Sequence, residues 1–408
     1  MSDSAGIAFR YPNFRHYLAG RLLATAASEM QAVAVGWQVY GITHRPLDLG
    51  LVGLAQFLPG ILLFLPAGHT ADRVPRQRIL QSCAAAFSVC SALLLAFTLR
   101  GLVSVYPIYG VLLLNGLVRA FNFPAAQAFL PLLVKEEHFP NAVTWNSSSI
   151  QGAMVLGPVA GGLIYGLAGS PIPVYAAAAA AYLCAVALFS LIRVEGVERP
   201  RGASLAIVLE GLRYIWRNQL ILGAISLDLF AVLLGGAVAL LPVYAREILN
   251  AGATGLGVLR SAPGAGAVLM AIVVAHRPLR QRAGAIMLWC VAGFGVFIVV
   301  FGTSRSMPLS LAALVMVGAC DMVSVIVRHT LVQLGTPDDM RGRVSAVNMV
   351  FIGASNEVGQ FESGLTAQWF GTVPAVIVGG VGTVAVVALW SWLFPSLRKV
   401  DRLVANQR

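Results

Sequence analysis

A small set of ionisable side chains sits inside long apolar runs of this chain. The acids are Glu29, Asp228, Asp321, Glu357 and Glu362, and the bases are Arg21, Arg119, Arg260 and Arg328. Charge held in hydrocarbon is costly, so such residues are functional candidates by default. Glu29 lies in the middle of LLATAASEMQAVAVGW, with Gln31 and Trp37 beside it. A lone buried carboxylate favours its neutral form and can take and lose a proton during a cycle. Arg119 shares a helix face with Asn115 and lies close to Asn122. Asp321, Ser324 and Arg328 align at i, i+3 and i+7, which suits either an intramembrane ion pair or a strip facing a substrate. Glu29, Arg119 and Asp228 are therefore the proton-coupling candidates. Trp37, Asn115, Asn122, Asp321, Arg328 and Glu357 are candidates for lining a substrate cavity. For Asp228, Asp321, Arg328 and Glu357 a structural charge network is an equal alternative. Arg21, Arg260 and Glu362, nearer the ends of their runs, are expected to snorkel to the membrane edge.

The elements that must position these groups follow from composition. Of 408 residues 58% are hydrophobic and only 11% charged, and the mean hydropathy is +0.79. A soluble domain carries about 25% charged residues, so the chain is built for lipid. Apolar runs of roughly 20 residues cross a bilayer as helices. Twelve are predicted, over 14–41, 47–67, 79–99, 104–134, 141–169, 172–193, 218–246, 252–275, 284–304, 307–334, 340–370 and 372–395. The 42 glycines lie largely within these runs, where small residues let helices pack closely. An all-α membrane protein follows, with a six-span bundle over 1–193, a linker over 194–217 and a second six-span bundle over 218–408. The second part of the linker, SLAIVLEGLRYIWR, is amphipathic at helical spacing and is expected to lie on the membrane surface.

Orientation follows from Lys and Arg. With the N-terminus inside, the outer loops hold only Arg45, Arg100, Arg246 and Arg305, and Arg21, Arg119, Arg260 and Arg328 lie within spans. All the other basic residues among the 28 fall in inner segments, which places both termini in the cytoplasm. The same distribution assigns the net charge of +11 to topology rather than to nucleic acid. The halves also echo each other, because Arg73 and Arg282 are separated by the same interval as Arg119 and Arg328. Such duplication is how many secondary transporters are built, with the binding site between the repeats.

Two motifs carry a family resemblance. GHTADRVPRQR at 68–78 packs Asp72, Arg73, Arg76 and Arg78 into a short turn after Gly68, between the second and third spans. Gly-x-x-x-Asp-Arg-x-x-Arg-x-Arg resembles the gating signature of the major facilitator superfamily, although Thr70 and Pro75 depart from its usual leucine and glycine. QGAMVLGPVAGG at 151–162 resembles the Gly-Pro-x-x-Gly-Gly antiporter signature through Gly157, Pro158, Gly161 and Gly162. Pro158 removes a helix hydrogen bond and is expected to bend the span, and the glycines permit near backbone contact. Segments 210–218, 228–245 and 336–364 further resemble the branch of enterobactin exporters and transmembrane secretion effectors.

The resemblance implies the major facilitator fold, with 68–78 acting as a latch between bundles and the fifth span packing on the eighth. It likewise implies that Arg119 matches a helix-4 arginine near the protonation site of proton-coupled exporters. The implied activity is efflux of a small organic molecule, siderophore or drug-like, by proton antiport across a bacterial inner membrane, the protein working as a monomer. A facilitator or importer of the same fold, or a transport-dead receptor, is the alternative. No cofactor is called for: histidines and cysteines lack metal-ligand spacing, there is no P-loop, and no nucleophile stands beside a base, so an enzyme is not expected.

Overall fold

The computed structural model describes residues 6–63, 66, 70, 74–193, 205–277, 281–337 and 340–400. All regular structure among them is helical. The long helices are α1 (Pro12–Thr43), α2 (Pro46–Leu62), α3 (Arg76–Leu99), α4 (Tyr106–Phe129), α5 (Phe139–Ala168) and α6 (Ile172–Ser190). After α7 (Leu205–Arg217) come α8 (Gln219–Leu234), α9 (Gly252–His276), α10 (Ala283–Thr303), α11 (Met307–Leu334), α12 (Arg341–Phe370) and α13 (Thr372–Leu393).

Nine helices among the described residues are long and apolar enough to cross a membrane. The other three predicted positions hold α1 and α12, which are long but richer in polar residues, and α2, whose described part has 17 residues. The seventh predicted span is one correction in detail. Its helix stops at Gly235 and Gly236 and resumes as a 3-10 turn over Ala237–Leu240 and a π-helical turn over Tyr244–Ile248. Two adjacent glycines weaken a helix, and here each also meets a neighbour closely: a Cβ on Gly236 would stand 2.6 Å from the Gly359 carbonyl oxygen.

Local rules set the helix ends. Proline occupies the first turn of α1, α4, α5, α6 and α11, where no hydrogen-bond donor is lost. Asn218 caps α8, its Oδ1 accepting from the amides of Leu220 and Ile221. Gly169 closes α5 in the left-handed conformation.

The chain forms two compact units. One comprises Met1–His44, Ala55–Ala203 and Gly252–Ser261, so it takes in the first part of α9. The other comprises Arg45–Leu54, Ser204–Ala251 and Ala262–Arg408, and takes in the first part of α2. The core of the first unit gathers Phe14, Tyr17, Leu80, Phe129, Tyr182 and Phe189. That of the second gathers Ala224, Leu227, Met287, Val291 and Val327, with a smaller cluster of Ile215, Ile221, Ile225, Val332, Val344 and Val347 under α7. Large apolar side chains such as Leu156, Leu167, Trp289 and Trp392 are exposed, which is the surface a lipid-embedded helix presents.

Candidate functional site

In the first unit α5 lies between α1 and the start of α9, and glycine makes this possible. A Cβ on Gly157 would stand 2.7 Å from Glu29 Cβ, and one on Gly161 would stand 2.7 Å from Met30 Cα. On the other face, a Cβ on Gly162 would meet the Ala253 carbonyl oxygen at 2.7 Å and Gly257 Cα at 2.8 Å. Gly257 in turn faces the Pro158 carbonyl, and Thr254 Oγ1 donates to the Gly162 carbonyl at 3.4 Å. Apart from Glu29 Cβ and the Thr254 hydroxyl these are backbone contacts, which cannot yield to an added methyl as a flexible side chain can. The α5 helix runs unbroken through Pro158. Trp37 packs edge-on against Tyr165 with ring centroids 6.4 Å apart, extending the α1–α5 contact.

Glu29 sits on this seam. Its Oε2 is 3.8 Å from Arg260 Nε on α9, and the two side chains keep 24% and 27% of their exposure. This corrects one expectation: Glu29 is not a lone carboxylate but half of an ion pair with Arg260. The reason is the seam: with glycine at 157, 162 and 257, α9 comes close enough for its arginine to reach the α1 acid. Buried Tyr182 on α6 bonds to Ser28 through its hydroxyl and lies within electrostatic reach of both Glu29 and Arg119. Arg119 itself is exposed on α4, Asn115 is buried and Asn122 half-buried. Thus Glu29, Arg119, Tyr182 and Arg260 form one neighbourhood on α1, α4, α6 and α9.

Asp228 belongs to the other unit. On α8 it forms an ion pair with Arg328 on α11, with side-chain exposures of 8% and 3%. Arg328 Nε is buried without a hydrogen-bond partner. The alignment set Arg328 on one face with Asp321, and its ion pair in the structure is with Asp228 on α8. Asp321 is half-buried on α11. Glu357 on α12 accepts from Gln360 Nε2 at 3.3 Å, and its Oε2 would stand 3.2 Å from a Cβ on Gly53.

In the 68–78 motif, Gly68, Asp72 and Arg73 lie outside the described residues. Arg76 Nη1 donates to the Ala128 carbonyl at 3.0 Å, and Arg78 is exposed. The neighbouring Gln77 was not a candidate, yet its Nε2 donates to the carbonyls of Phe189 and Ile192 at 2.9 and 2.6 Å, tying α3 to the end of α6. Asp48 was also missed. It is buried near the start of α2, with Arg45 Nε 4.0 Å from its Oδ2; as the second residue of the predicted span 47–67 it gave no signal.

Residues 4–407 match the family of transmembrane secretion effectors, a branch of the major facilitator superfamily. The chain belongs to that family. It is a multi-pass membrane transporter with the superfamily's fold. The enterobactin exporter EntS of Citrobacter koseri is 26% identical over 397 residues, covering 95% of this chain and 93% of its own. That of Shigella boydii serotype 4 is 26% identical over 343 residues, covering 83% and 81%. Among solved structures, a bacterial homologue of the human lysosomal transporter Spinster superposes with a TM-score of 0.74 at 13% identity, covering 95% of this chain and 98% of that one. A D-xylose–proton symporter gives 0.68 at 15%, covering 95% and 98%. At such identities these structures speak for the fold alone.

Proposed function

We propose that this transporter, with twelve spans and both termini in the cytoplasm, exports a small organic molecule across a bacterial inner membrane. It works as a monomer, by alternating access and in exchange for protons. Export, with a siderophore or drug-like cargo, is supported by the similarity to enterobactin exporters along nearly the whole chain. Exchange is supported above all by the partly exposed Glu29–Arg260 pair, an acid inside a predicted span facing an arginine. In this reading Glu29 carries the exchanged proton and Arg260 is its partner in the pair. Arg119, in the same neighbourhood, is assigned to tuning that exchange or to facing the cargo. The buried Asp228–Arg328 pair is assigned to holding α8 against α11. The Gly157–Gly162 seam and residues 68–78 are assigned to opening and closing the path.

The pairing of Glu29 also favours a second reading, a facilitator of the same fold in which the pair is a permanent tie. Reconstituted protein separates the two, with enterobactin and the cation ethidium as probes. An exchanger moves a probe faster when a pH gradient is imposed, and Glu29→Gln loses that acceleration. Flux indifferent to the gradient in both proteins would refute exchange and leave the facilitator.

A further inference from the structure

The helix α7 joins the two halves of the chain, and its two faces have different environments. The inner face is docked on the second unit. Ile215 is buried with Val332, Val344 and Val347, and a Cβ on Gly211 would meet the Arg343 carbonyl oxygen at 2.7 Å. Tyr214 Oη donates to the Gly335 carbonyl at 2.9 Å, and Glu210 pairs with Arg343 through a 2.5 Å contact. The outer face carries Leu209, Arg213, Trp216 and Arg217, at i, i+4, i+7 and i+8, all exposed. Leu209 keeps 54% of its surface and Trp216 65%.

Water is a poor partner for that face, because a leucine and a tryptophan share one stripe with two arginines. The helix is also pinned at the membrane's edge. One residue after Arg217, Asn218 caps α8, a spanning helix, and the Tyr214 bond fixes α7 to the end of α11, another. An amphipathic helix at that level places aromatic and aliphatic groups at the acyl boundary and basic groups among the headgroups. Arginine forks match phosphate oxygens in two-point hydrogen bonds.

We propose that the outer face of α7 is a docking surface for anionic phospholipid, with Arg213 and Arg217 holding the headgroup phosphate and Trp216 and Leu209 set into the adjoining acyl region. The partner is fixed by complementarity: two cations, whose nearest acid on the helix, Glu210, is already occupied by Arg343, share a stripe with an apolar pair beside a bilayer. The surface would couple lipid headgroup composition to the segment joining the two halves.

The test places the full-length protein in nanodiscs of equal phosphatidylglycerol and phosphatidylcholine content, with brominated acyl chains on one lipid or on the other. Subtracting the signal of Trp216→Phe isolates Trp216 fluorescence. Quenching should be several-fold stronger when phosphatidylglycerol carries the bromine. That excess should vanish in Arg213→Gln/Arg217→Gln and at high salt, and persist in Arg213→Lys/Arg217→Lys. Equal quenching by the two lipids would overturn the headgroup assignment. A Trp216 signal untouched by either would show that water or a protein covers the face, and would overturn the proposal outright.

Discussion

Removing one member of the Asp228–Arg328 pair should damage the fold far more than removing both. The side chains are 8% and 3% exposed, so neither charge has water to fall back on. In Asp228→Ala or Asp228→Asn the guanidinium remains in place, its Nε already without a hydrogen-bond partner. Breaking a buried pair in this way costs about 3–5 kcal/mol, whereas exchanging both members for apolar residues of similar volume is often neutral or stabilising. At about 2–4 °C per kcal/mol for a domain of this size class, either single change should lower the melting temperature by about 6–20 °C. The double change Asp228→Leu/Arg328→Met should return most of that loss. Thermal unfolding of detergent-solubilised protein reads the effect directly. If the single changes proved mild, or the double change lost the sum of the two, the pair would not be a closed electrostatic unit and its structural role would be refuted.

Other outcomes follow from the same contacts. Gly162→Leu should abolish transport while the protein still inserts, since its side chain would enter the Ala253 and Gly257 backbone; wild-type flux at equal expression would contradict the seam. Tyr214→Phe loses one hydrogen bond to Gly335 and should cost about 1 kcal/mol, seen as a small drop in melting temperature with transport retained. In the folded protein a membrane-permeant maleimide should modify exposed Cys184 well before buried Cys83 and Cys90, which mass spectrometry of the digest would rank.

Much of the helical plan was legible because bilayer thickness imposes long apolar runs, and proline and glycine mark their ends. The helix of the eleventh predicted span was expected over 340–370 and runs over Arg341–Phe370; the amphipathic stretch became α7 almost residue for residue. The break at Gly235 and Gly236 was not legible, since hydropathy runs through it without change. At the site, single residues were readable and their partners were not. Glu29 stood out as an acid in hydrocarbon. Its counter-ion lies more than two hundred residues away on α9, and only the packing of Gly157, Gly162 and Gly257 brings Arg260 within 3.8 Å. Likewise Asp228 and Arg328 were each visible as intramembrane charges, but pairing them needs the approach of α8 to α11. Asp48 was hidden by its place near a span end, where a charge calls for no explanation.

Glu29 trading a proton against cargo is the central step of the proposed cycle. Adding enterobactin to purified protein in lightly buffered detergent solution, with a pH-sensitive dye present, measures that exchange before any transport occurs. Proton release from the wild type that disappears in Glu29→Gln is the predicted result. Cargo binding with no release, or the same release from both proteins, would contradict it.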